Sequence, residues 1–145
     1  MDQSSNEQAP RTSGVCLPPS LDLAKVQNLP SSAFYIPNFI SEDEERVILD
    51  KIATAPKPKW KQLTHRRLQI WPSDLVKKNT LVDAPLPQWL EDPVVSRLLS
   101  IPLSAKDSNV NTFSDSPHRR PNLVLINEYP PGVGIMPHKV RFYRR

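Results

Sequence analysis

The sequence predicts an α+β chain: short strands with two helices packed beside them. Three observations lead there. Leu123–Ile126 is a continuous apolar run, too short for a helix, and it reads as a strand covered on both faces. Ser41 opens an acidic run followed by an apolar stripe, the pattern of a capped amphipathic helix. The chain also carries 17 Pro against 3 Gly, where Pro averages about 5% of a typical chain. Prolines at that density break long helices and favour short strands joined by rigid loops.

Taken in order, residues 1–30 are rich in Ser, Gln, Asn and Pro and lack sustained periodicity, so they read as a disordered tail. Within it, Leu21–Val26 has the composition for a helical turn or two. Ala33–Pro37 reads as a short strand with Phe34, Tyr35 and Ile36 as its apolar content. Ser41 and Glu44 form a capping box, and the acidic residues 42–45 favour the positive end of a helix dipole. Val47, Ile48 and Ile52 share one stripe, so the helix runs from about 42 to 54 and ends before Pro56 and Pro58. Carboxylates in a first helical turn are dipole partners before they are metal ligands.

Trp60–Leu63 and Arg67–Ile70 read as two short strands around Thr64, His65 and Arg66. Residues 72–88 form an irregular loop. Asp92 reads as an N-cap with Pro93 at the first helical position of a second helix, 93–100, whose apolar face is Val94, Val95, Leu98 and Leu99. Residues 104–120 are polar and read as a loop leading to the Leu123 strand.

The net charge of +4 invites a nucleic-acid reading. Lys139, Arg141, Arg144 and Arg145 supply much of it, and removing those four from the 19 basic residues leaves 15, equal to the 15 acidic ones. The excess belongs to a basic tail, 139–145. A single cysteine, Cys16, excludes an intramolecular disulfide and any multi-cysteine zinc site. No apolar segment has the length of a signal-peptide core or membrane span, so an intracellular protein is expected, in cytoplasm, nucleus or both, with no membrane partner.

The chemistry concentrates in Pro121–His138, PNLVLINEYPPGVGIMPH. Asn127, Glu128 and Tyr129 follow the apolar run, so polar groups sit where the strand emerges. Pro130 and Pro131 end it, Gly132 and Gly134 permit a tight bend, and His138 follows Asn127 by eleven residues. On residues alone, Asn127 and Tyr129 read equally as a strand end satisfying its own backbone and a half-buried aromatic. His65 and His118 have no partner at ligand spacing. Arg66 and Arg67, flanked by Trp60, His65 and Trp71, have the composition of a phosphate contact beside stacking surfaces, or of a solvated hairpin with aromatic anchors.

This stretch, with FYIPNFIS at 34–41 and APKPKWKQL at 55–63, resembles the AlkB-like family of Fe(II)/2-oxoglutarate-dependent dioxygenases, closest to the AlkB homolog six subfamily. The resemblance spans roughly residues 32–138. It implies that Asn127 and Tyr129 hydrogen-bond 2-oxoglutarate, that His138 is the first iron ligand, and that the region of Arg66 and Arg67 faces substrate. It further implies a double-stranded β-helix, or jelly roll, and oxidative demethylation of alkylated nucleic acid. The pattern departs after His138: the family has an aspartate two residues on, whereas this chain has Val140. Residues 31–138 are therefore expected to be the N-terminal part of a dioxygenase domain, incomplete and inactive alone, with an open sheet edge suited to a protein partner. The alternative is a non-catalytic module binding nucleic acid or protein through Trp60–Trp71 and the basic tail.

Overall fold

The computed structural model describes residues 14–72 and 84–137. Helix α1 spans Glu42–Ala53. Strands β1, Lys61–Gln62, and β2, Arg67–Trp71, form a hairpin closed by the Leu63 N–H to the Arg66 carbonyl at 2.8 Å. A broken helical stretch follows: α2, Gln88–Leu90, then Glu91–Val95, then α3, Ser96–Ser100. Strands β3, Pro102–Ser104, and β4, Asp107–Asn111, make a second hairpin, and β5 spans Val124–Glu128. Among the described residues β1, β2 and β5 form one antiparallel sheet in that order, and β3 with β4 a separate pair.

The expected α+β class holds at this level. Helix α1 begins at its predicted cap, with the Ser41 hydroxyl accepting from the Glu44 N–H and the Glu44 carboxylate accepting from the Ser41 N–H. Asp92 takes the extended backbone of a cap residue, φ −128° and ψ 116°, which is what breaks the second helical stretch.

Four expectations change. Residues 14–30, assigned to a disordered tail, are tied to the body of the chain. Leu21–Ala24 is a 3₁₀ turn, Ser20 and Leu21 are buried, and the Cys16 N–H donates to the Asn38 carbonyl. Residues 1–13 lie outside the described residues. The strand expected over 33–37 reduces to one bridge between Lys25 and Phe34, because Pro37 offers no donor and Asn38 turns the chain at φ 52°. The polar loop over 104–120 contains β4, whose pairing with β3 a residue pattern without alternation does not advertise. Strand β5 is covered on one face only: Val124 and Ile126 are half-buried, whereas Leu125 is 51% exposed.

The reason lies in the register. Arg67 pairs with Glu128, Gln69 with Ile126 and Trp71 with Val124, and these six share one face of the sheet. That face receives the helices. Leu86, Leu90 and Val95 form the core, with Trp71, Trp89, Leu99 and Val124 packed against it. Gln69, fully buried, ties the sheet to α1 by donating to the Ile52 carbonyl at 2.8 Å, and accepts from the Trp71 indole at 2.9 Å. The opposite face carries Leu68, Ile70, Leu125 and Asn127. A bidentate pair between Arg97 and Glu44, at 2.6 and 2.7 Å, joins α3 to the start of α1, and Arg97 also donates to the Phe39 carbonyl at 3.0 Å.

Candidate functional site

The hairpin and β5 bring three of the sequence-selected residues to one end of the sheet's open face. Asn127 lies opposite Leu68. Continuing the register beyond the strand ends sets Tyr129 opposite Arg66, on the same side as Asn127. The Arg66 guanidinium sits over the Tyr129 ring, 5.9 Å from its centroid. Asn127 is exposed, while Tyr129 and Arg66 are half-buried. The buried Nε of Arg66 has no hydrogen-bond partner. A donor left in that state costs roughly 1–3 kcal/mol.

Arg67, adjacent in sequence, points to the other face and is already engaged. Its guanidinium stacks 4.1 Å from the Trp60 ring centroid and forks onto Glu128 at 2.8 and 3.0 Å. A carboxylate that occupies both arms of the fork neutralises the charge a phosphate would need. The pair read together in the sequence is thus split by the strand's two-residue period, with Arg66 on the open face and Arg67 on the helix-bearing face.

The tight bend after Tyr129 is a turn closed by the Val133 N–H to the Pro130 carbonyl at 3.1 Å. Pro131 and Gly132 are its central residues, and Gly132 has φ +83°, the left-handed value a type II turn demands at that place. Gly134 has no such requirement, and an added Cβ there meets nothing within 4 Å. The turn leads toward His138, which lies outside the described residues, as does the basic tail 139–145. Among the described residues there is no cluster of three or more His, Cys, Asp or Glu side chains.

An amide, a phenol and a guanidinium on one face form a donor set suited to carboxylate oxygens, so Asn127, Tyr129 and Arg66 fit a dicarboxylate such as 2-oxoglutarate. A cavity of about 490 Å³ lies elsewhere, lined by Leu86, Glu91, His118, Arg120 and Asn122 among others. His118 there has one carboxylate neighbour in the lining, Glu91, which is engaged by Arg120. No helix among the described residues is long and apolar enough to cross a membrane.

Two partnerships escaped sequence reasoning. Glu44 was legible as a cap, but not as the partner of Arg97, 53 residues away. Arg97 and the Ser41 N–H together hold the Glu44 carboxyl down to about 2 from its usual 4.5. Glu128 was visible as a polar residue at a strand end, and only the β2–β5 register makes it the partner of Arg67. Neither pair has a local signal in the sequence.

No family model matches the chain. It is 40% identical, over 121 residues, to the probable RNA/DNA demethylase ALKBH6 of Danio rerio. The aligned region covers 82% of this chain and 46% of that protein, so the chain spans about half the length of its relative.

Proposed function

The chain belongs to the AlkB-like family, and on that premise we propose that it carries the N-terminal part of a jelly-roll domain whose whole performs oxidative demethylation of alkylated nucleic acid. Fe(II) and 2-oxoglutarate, when bound in such a protein, supply oxygen activation, through which an N-methyl group is hydroxylated and lost as formaldehyde. In this chain Asn127 and Tyr129 hold 2-oxoglutarate by hydrogen bonds, and His138 contributes an imidazole to the iron. The observation that carries the reading is the convergence of Asn127 and Tyr129 on the open, helix-free face of the sheet.

The same reading separates binding from turnover. Val140 stands where the family pattern has its aspartate ligand, and an isopropyl group offers no oxygen to a metal. We infer that the 145-residue chain binds 2-oxoglutarate weakly and does not oxidise it. The test is a nuclear magnetic resonance titration with 2-oxoglutarate to millimolar concentration, beside an assay with Fe(II), oxygen and an N-methylated oligonucleotide. Saturable shifts at the Asn127 side-chain amide and the Tyr129 ring, with no succinate released, are the expected result. Oxygen-dependent succinate would overturn the inactivity, and unmoved Asn127 and Tyr129 signals would overturn the cofactor role.

A further inference from the structure

Arg66 stands out because its chemistry is unfinished. Its guanidinium is held over Tyr129, its Nε–H is buried without a partner, and no carboxylate among the described residues pairs with it. Arg67 shows by contrast what a finished arginine looks like on this sheet, stacked on Trp60 and forked onto Glu128. The two are neighbours in sequence, so composition cannot separate them. The alternation of β2 does, because it assigns Arg66 to the face of Asn127 and Tyr129.

We propose that Arg66 binds a carboxylate of 2-oxoglutarate, completing with Asn127 and Tyr129 a three-point site built across β2 and β5. The inference rests on the cofactor reading above and extends it to a residue on a different strand. An arginine donates through Nε and one terminal nitrogen as a planar fork, and the unpartnered Nε of Arg66 is half of such a fork. The ring beneath it restricts the guanidinium plane, so less side-chain freedom is lost when the anion arrives. A carboxylate is favoured over a backbone phosphate because the flanking groups are the short amide of Asn127 and the phenol of Tyr129 on a half-covered sheet face. These suit a small dicarboxylate, and the neighbouring cation Arg67 that would extend a phosphate track is withheld on the other face.

The experiment is the same titration, followed at the Arg66 Nε–H signal of the unmodified chain and repeated on Arg66→Gln, Arg66→Lys and Arg67→Gln. The expected result is a saturable shift of the Arg66 signal with 2-oxoglutarate. Arg66→Gln should weaken binding at least tenfold, Arg66→Lys by less, and Arg67→Gln by under threefold. Inorganic phosphate at equal concentration should leave the Arg66 signal in place. If 2-oxoglutarate moves Asn127 and Tyr129 but neither the Arg66 signal nor the affinity of Arg66→Gln responds, the assignment of Arg66 is wrong and the cofactor reading survives. If nothing on this face moves, both fail. If phosphate moves Arg66 as strongly as 2-oxoglutarate does, Arg66 is a phosphate contact and the proposal is overturned. The wild-type signal keeps the test decisive even where a variant folds poorly.

Discussion

Replacing Gln69 by leucine tests the joint on which the site's position depends. Gln69 is fully buried and makes two hydrogen bonds, to the Ile52 carbonyl at 2.8 Å and from the Trp71 indole at 2.9 Å. Leucine is close in volume and makes neither. The Ile52 carbonyl keeps a longer bond from the Ala55 N–H at 3.4 Å, so its loss amounts to about 1 kcal/mol, one net hydrogen bond. The half-buried Trp71 N–H is left without a partner, which costs roughly 1–3 kcal/mol. The added apolar surface of leucine offsets a part of this, leaving a loss of about 2–3 kcal/mol. For a chain of this size that corresponds to a fall in Tm of roughly 6–9 °C. Urea denaturation followed by tryptophan fluorescence gives the free energy, and a thermal scan by circular dichroism gives the Tm. Gln69→Glu is the informative companion: it keeps an acceptor for Trp71 but sets a carboxylate against the Ile52 carbonyl. It should therefore be less stable than Gln69→Leu at neutral pH and recover as acid protonates the new carboxyl. A loss below about 0.5 kcal/mol for Gln69→Leu would refute the claim that this side chain fastens the sheet to α1.

Three other outcomes follow from the same geometry. The Glu44 carboxyl, held at about 2 in the folded chain against a usual 4.5, contributes stability that is complete above its unfolded value and lost as pH falls from 4.5 toward 2. Acid titration of the Tm should show that decline, and Glu44→Gln should flatten it. Gly132→Ala should destabilise by about 1 kcal/mol or more because its φ is +83°, whereas Gly134→Ala should stay within about 0.5 kcal/mol; paired denaturation curves decide it. Val124→Asn should cost at least about 2 kcal/mol, through loss of an apolar contact to the core and burial of an amide, while Leu125→Asn should cost under about 0.5 kcal/mol, since Leu125 is 51% exposed. Equal losses at these two adjacent positions would mean that the face assignment of β5 is wrong.

The sequence by itself carried the local features. The capping box at Ser41, the hairpin around Thr64 and His65, the extended cap at Asp92 and the turn at Pro131–Gly132 all came through, because each is decided by two to four neighbouring residues. The family was legible in the same way, from short stretches of ordered residues. What the tertiary structure alone decided was pairing and facing. An apolar run such as Leu123–Ile126 looks the same whether one face is covered or two, and only the register with β2 shows that Val124 goes inward and Leu125 outward. Arg66 and Arg67 are chemically identical as letters. A strand turns successive side chains to opposite faces, so Arg67 meets Glu128 and Trp60 while Arg66 stays beside Tyr129 with a donor unspent. That difference depends on a partner strand some sixty residues away, and no window of sequence contains it.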